Sequence, residues 1–85
     1  MKKTDVTYGQ IDKVLRSLGY SCRVVTKNKP TRVYEREEPD TWIMLPALPK
    51  EEPAWDYHLL YVRTTLDLLG IADPTVFDAK LQKAG

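Results

Sequence analysis

The chain has 85 residues, of which 42% are hydrophobic and 29% charged, and its formal net charge is +1. This length predicts one domain, 1–85, with a modest core, and this composition excludes an intrinsically disordered chain. The single cysteine, Cys22, excludes an internal disulfide framework and favours the reducing cytoplasm. No apolar run approaches the roughly 20 residues of a membrane span, and the polar start 1–5 is not expected to be a secretory signal, so no membrane partner is expected.

The charge is divided unevenly along the chain. Residues 1–36 carry nine Lys and Arg against three acids, a net +6, whereas residues 37–85 carry four against nine, a net −5. A basic surface concentrates polyanions, and an acidic one repels them or docks on a basic partner. The division therefore predicts a binding surface.

The first predicted element is a helix that follows a loose or partly extended lead-in, 1–6. Thr7 and Gln10 are spaced as a capping box, and Gly19 is placed to end the helix. The apolar stripe between them, spaced for one helical face, consists of Ile11, Val14, Leu15 and Leu18. The polar residues Asp12, Lys13 and Arg16 lie off this stripe.

Three strands are predicted next, at 21–26, 31–36 and 41–45, separated by turns at 27–30 and 38–40. The second strand alternates Arg32, Tyr34 and Arg36 on one face with Val33 and Glu35 on the other. The third is nearly all apolar, which favours a central strand or one buried on both faces.

Two helices complete the predicted order. After a proline-rich loop, 46–53, a helix is expected from Trp55 or Asp56 to Leu69. A third helix, 74–83, begins at Asp73-Pro74 and is expected to bury Phe77 and Leu81. The order α-β-β-β-α-α predicts an α+β domain, with helices packed on one face of a three-stranded antiparallel sheet.

This order and three segments resemble the HicA family of small toxins. The segments are 11–20, which ends in Leu-Gly-Tyr, the Met-Leu-Pro of 44–46, and 62–71, which ends in Leu-Gly-Ile. Together they lie within residues 7–71. The resemblance implies a fold similar to the double-stranded-RNA-binding domain, affinity for RNA, and an antitoxin-like protein as partner.

The second strand departs from the family pattern. HicA toxins carry Gly-Ser-His there, and the histidine is credited with RNA cleavage. This chain has Lys29-Pro30-Thr31 instead, so Thr31 stands at the catalytic position. A threonine hydroxyl has no usable pKa near neutrality, whereas an imidazole does. The resemblance therefore implies the fold and RNA binding without the usual cleavage.

A basic hairpin is the predicted RNA-binding site. Arginine and lysine contact phosphates, and a tyrosine between them can stack on a base. The predicted RNA-binding residues are Arg23, Lys27, Lys29, Arg32, Tyr34 and Arg36. The alternative interpretation is a solvated sheet face whose charges are paired locally.

Other reactive residues have simpler interpretations. His58, the only histidine, is the remaining candidate for a catalytic base, but a satisfied helix histidine is favoured over that role. Without a second histidine or a cysteine pair, no metal or other cofactor is expected. Cys22 is expected to be buried and inert. Trp42, Trp55 and Tyr57 are expected to close the core, and Trp55, if exposed, would be a partner-docking anchor.

Three functional hypotheses follow. The first is a HicA-like RNA-binding protein that does not cleave RNA. The second is a protein-interaction module or toxin–antitoxin component, with an antitoxin-like protein or a second copy as partner. The third is a diverged endoribonuclease, an mRNA interferase that uses His58 or another residue.

Overall fold

A computed structural model describes residues 2–85 and contains eight regular elements. They are β1 (Lys3–Thr7), α1 (Tyr8–Ser17), β2 (Ser21–Val25), β3 (Thr31–Arg36), β4 (Thr41–Pro46), β5 (Pro53–Trp55), α2 (Asp56–Leu68) and α3 (Pro74–Ala84). Strands β2, β3 and β4 form a three-stranded antiparallel sheet, and β1 pairs with β5. The α+β class and the three-stranded sheet are confirmed.

The small β1–β5 sheet corrects the predicted order, because the lead-in and the end of the proline-rich loop are strands. The Asp56 amide donates to the Lys2 carbonyl at 2.8 Å, which extends the pairing to the start of α2. The Thr4 hydroxyl also donates to the Ala54 carbonyl at 3.0 Å. These partners lie about fifty positions apart in sequence, so local propensity carries no signal for their pairing.

Local signals placed the helices correctly. Thr7 and Gln10 form the predicted capping box, in which the Gln10 amide donates to the Thr7 hydroxyl and the Gln10 side chain accepts from the Thr7 amide. Gly19 follows α1 with φ +93°, a left-handed conformation that favours glycine. Asp73 caps α3 by accepting from the Val76 amide at 2.9 Å.

The three-stranded sheet has β3 at its centre and β4 at one edge. The prediction that 41–45 is central or buried on both faces is therefore wrong. Ile43 and Leu45 are buried, whereas Trp42 and Met44 are 59% and 52% exposed. The physical reason is that the core lies on one side of this sheet only.

The core fills the space between that side and the helices. Phe77 and Leu81 of α3 are buried as predicted, together with Val62 and Leu66 of α2. We call this side of the three-stranded sheet the inner face. Among residues 2–85, no helix combines the length and apolar character needed to cross a membrane.

Candidate interaction surface

The inner face holds the residue that was expected to stack on RNA. Tyr34 is 1% exposed, and its hydroxyl donates to Asp12 Oδ1 at 2.8 Å. The predicted position of Tyr34 on a solvent-facing hairpin is therefore wrong. Arg36 shares this face, and its Nε donates to the Leu18 carbonyl at 2.8 Å. Alternation grouped Tyr34 with the arginines correctly, but their face is the one that the helices cover.

Asp12 is a buried carboxylate, although it lies off the apolar stripe of α1. It is 3% exposed and also accepts from Arg16 Nε at 3.0 Å, while Lys50 Nζ lies 3.5 Å away. Burial alone would raise the pKa of Asp12, but the bonds from Tyr34 and Arg16 outweigh it and lower the pKa. Burial and the adjacent carboxylate raise the pKa of Tyr34. The pair fastens α1 to β3.

We call the opposite side of the sheet the outer face; no helix within residues 2–85 covers its exposed residues Trp42 and Met44. Its side chains follow from the register, in which Val33 lies between Arg23 and Met44, and Glu35 lies between Ser21 and Trp42. The prediction that Trp42 closes the core is wrong, because its strand position directs it away from the helices. A large exposed aromatic side chain is consequently the most prominent feature of the outer face.

The predicted RNA-binding cations are divided between the two faces. Arg23 lies on the outer face and is paired with Glu35, with Nη2 and Oε1 2.8 Å apart. Arg32 belongs to the inner-face side by alternation with Tyr34 and is half-buried. Lys27 and Lys29 are exposed in the turn between β2 and β3. Arg32 and Arg36 therefore do not share a face with Arg23.

The outer face is concave, and its hollow has a volume of about 740 Å³. The turn at 27–29, which we call the basic turn, forms one wall of it. The apolar part of the lining consists of Val25, Val33, Trp42 and Met44. The remaining lining residues are Arg23, Lys27, Asn28, Lys29, Thr31 and Glu35. An apolar floor bounded by charged groups is typical of protein-binding surfaces.

The two ends of the outer face carry opposite charge. Lys27 and Lys29 lie at the β2–β3 end, and the turn 37–40, which contains Glu37, Glu38 and Asp40, lies at the β3–β4 end. We call the latter the acidic turn. Successive turns of an antiparallel meander lie at opposite ends of its strands. The outer face is therefore basic, then apolar, then acidic along the strand direction.

The β4 edge is partly covered. The Tyr61 hydroxyl of α2 lies 3.5 Å from the Met44 amide nitrogen, on the side where a further strand would pair. The edge at β2 (Ser21–Val25) is the other border of the sheet. A partner that approaches Trp42 and Met44 consequently meets side chains on a face, and not a free row of backbone groups on β4.

His58 has a structural contact. Its Nδ1 lies 2.8 Å from the Tyr8 hydroxyl oxygen, which also accepts from the Trp55 amide at 3.3 Å. The hydroxyl and Nδ1 therefore share one hydrogen bond, whose donor is set by the tautomer of His58. Burial lowers the pKa of His58. The pair ties the start of α1 to α2.

Trp55 and Cys22 also have ordinary surroundings. Trp55 is half-buried, with Lys3 Nζ 5.3 Å from its ring centroid and the Tyr57 ring stacked beside it at 6.5 Å. Tyr57 itself is exposed, so its predicted place in the core is wrong. Cys22 is a free thiol, half-buried against the core. Trp42, not Trp55, is the exposed tryptophan.

A second cationic surface was missed by the sequence argument. A groove between α1 and α3 is lined by Lys13 and Ser17 on one side and by Lys80 and Lys83 on the other. Two of these lysines come from the acidic half of the chain. Folding therefore mixes the two halves, and the division of charge along the sequence does not map onto two separate surfaces.

Comparisons with protein-family models, curated proteins and solved structures yield no match to this chain. The resemblance to HicA toxins therefore stays a prediction. The outer face must be interpreted from its own chemistry.

Proposed function

We propose that this chain is a protein-interaction module and that its outer face binds the partner. The observation that carries the proposal is the exposure of Trp42 and Met44 on the floor of a concave, uncovered sheet face. The partner has an apolar patch for these two side chains. It also has acidic groups facing the basic turn and basic groups facing the acidic turn.

The energetics favour an apolar contact. A tryptophan buries about 200 Å², and each Å² of apolar surface removed from water contributes about 25 cal/mol. Removing the exposed surface of Trp42 and Met44 from water would therefore contribute several kcal/mol to the free energy of binding, before the costs of association are subtracted. Tryptophans in such a position dominate many interfaces. A charge-only contact at the two exposed lysines would contribute much less.

Binding of single-stranded RNA to the same face is the second candidate function, and it preserves the family resemblance. Its support is that Trp42 and the lysines of the basic turn line one hollow, which is the combination that stacks bases and contacts phosphates. Against it, Arg23 is paired with Glu35, and the acidic turn repels phosphates at the other end. These charges place the protein partner first.

Site-specific photocrosslinking tests the first candidate. Trp42 is replaced by p-benzoylphenylalanine in the full chain, in the cells that produce it, and adducts are identified by mass spectrometry. The matched control carries the same group at Val24, which is similarly exposed at 56% but alternates onto the other side of the sheet. We expect a discrete protein adduct at position 42 and none at 24. Absence of any protein adduct at 42 would contradict the proposal.

The second candidate function is tested by measuring the binding of this protein to single-stranded RNA at increasing salt concentration. If the outer face binds RNA, the affinity falls steeply with salt, and Lys27→Glu with Lys29→Glu reduces it strongly. The control is Lys80→Glu with Lys83→Glu, which changes the charge equally in the groove between α1 and α3. Binding lost only in the control would move the RNA site to that groove. Binding lost in neither variant would leave the outer face without a role in RNA recognition.

A further inference from the structure

We infer that the partner of the outer face is a second copy of this chain, bound face to face about a twofold axis. The inference rests on the proposed function and specifies its partner. The outer face supplies every group that its own partner requires: an apolar centre, a basic end and an acidic end. Such a surface is self-complementary, as a twofold interface must be.

The charges select one of the two possible twofold axes in the plane of the interface. An axis parallel to the strands would place basic turn on basic turn and acidic turn on acidic turn. An axis perpendicular to the strands reverses the strand direction in the second copy. Each basic turn then faces the acidic turn of the other copy, at both ends of the interface. Like charges opposed across an interface weaken it, so the perpendicular axis is the favourable one.

The register then defines which side chains meet. Val33 lies midway between the two ends, so the perpendicular axis passes close to it and to its neighbour Met44. The Met44 side chains of the two copies meet near the axis. The two Arg23 side chains also approach each other there, and each carries its own ion pair with Glu35, which offsets the like charge. Trp42 of each copy lies over the row that contains Thr31 and Pro46 of the other, beside the basic turn. The aromatic ring thereby enters the hollow of the opposite copy.

The size of the face predicts a weak dimer. Three strands of five or six residues, about 4.8 Å apart, cover a footprint of about 300 Å². A stable interface buries about 800 Å² per partner. We therefore expect reversible association in the micromolar-to-millimolar range of Kd, with one face of each copy occupied.

Charge reversal with rescue tests the inference, using the full chain in sedimentation velocity. One variant carries Lys27→Glu and Lys29→Glu, and the other carries Glu37→Lys and Glu38→Lys. Each alone opposes like charges at both ends of its own dimer, so we expect at least a tenfold weaker association than in the wild type, on the order expected for such contacts. The equimolar mixture opposes unlike charges at both ends, and we expect it to recover the affinity.

The sedimentation results and the crosslinking result together test the dimer and the proposed function separately. All substituted residues are exposed, and circular dichroism verifies that the variants fold. A wild type that stays monomeric at millimolar concentration, variants that associate like the wild type, or a mixture without recovery would each overturn the inference. A monomeric wild type with a crosslink from position 42 to another protein leaves the proposed function intact. Absence of both association and adduct removes both.

Discussion

Neighbouring residues of β4 show how differently the two faces of its sheet are used. Ile43 is fully buried under the helices, whereas its neighbour Met44 remains about half exposed on the outer face. Both are apolar, and both lie in the same edge strand. Their difference teaches that hydropathy alone does not assign a face to the core. The apolar residues of the inner face pack against the helices, whereas Trp42 and Met44 on the outer face stay exposed in the structure of residues 2–85, which is typical of an interaction surface.

Paired truncations of these two residues should separate the faces most strongly. Ile43→Ala leaves a cavity in the core and should lower the free energy of unfolding by about 3 kcal/mol. Met44→Ala removes surface contacts only and should change it by less than about 0.5 kcal/mol. Urea unfolding of both variants measures the difference. Equal losses would mean that Met44 is packed within the monomer, and the comparison between the faces would fail.

Loss of the Asp12–Tyr34 hydrogen bond on the inner face should have the next largest effect on the free energy of unfolding. Asp12→Ala leaves the buried Tyr34 hydroxyl without its acceptor and should cost about 2 kcal/mol in the free energy of unfolding. The control is Asp5→Ala, which removes an exposed carboxylate from β1 and should be nearly neutral. If both substitutions had equal effects in urea unfolding, the Asp12–Tyr34 bond would not be what holds α1 on the sheet.

The same carboxylate predicts a pH dependence. Because the pKa of Asp12 is lower in the folded chain than the ordinary value of 3.8, its contribution to stability is present above that value. The contribution is lost as the pH falls through the folded pKa. Asp12→Asn should therefore flatten the acid limb of the stability curve below about pH 4. An unchanged limb would contradict the lowered pKa.

The ion pair on the outer face should have the smallest effect on stability. Arg23 and Glu35 are both largely exposed, and exposed pairs contribute about 0–1 kcal/mol. Arg23→Ala should therefore change the free energy of unfolding by less than about 1 kcal/mol, and the change should shrink in high salt. Thermal unfolding at two salt concentrations measures it. A large, salt-independent loss would mean that the outer face stabilises the monomer.

The sequence predicted local features of the fold and missed those that depend on distant contacts. The caps of Thr7 and Asp73 and the stop at Gly19 depend on neighbouring residues, and all three are confirmed. The pairing of β1 with β5 depends on segments about fifty positions apart, and no local pattern encodes it.

The candidate site was only partly predictable for a related reason. Alternation correctly placed Tyr34 on the same face as Arg36. Because Arg32 and Arg36 both lie on that face, the sequence favoured a solvent-exposed face over a buried one. In the fold, the Arg36 guanidinium reaches the Leu18 carbonyl while Tyr34 is covered, as long amphipathic side chains permit. In β4 both alternating sets are apolar, so Trp42 could be assigned only once the position of the helices was known.

The two tryptophans allow the most direct test of the outer face, because one of them is an internal control. Nitrogen-15 correlation spectra of the full chain are recorded while the protein concentration is raised from micromolar to millimolar. The Trp42 indole resonance should shift progressively, while the Trp55 indole resonance stays constant. A Trp42 resonance that does not move, or a Trp55 resonance that moves equally, would contradict self-association through the outer face.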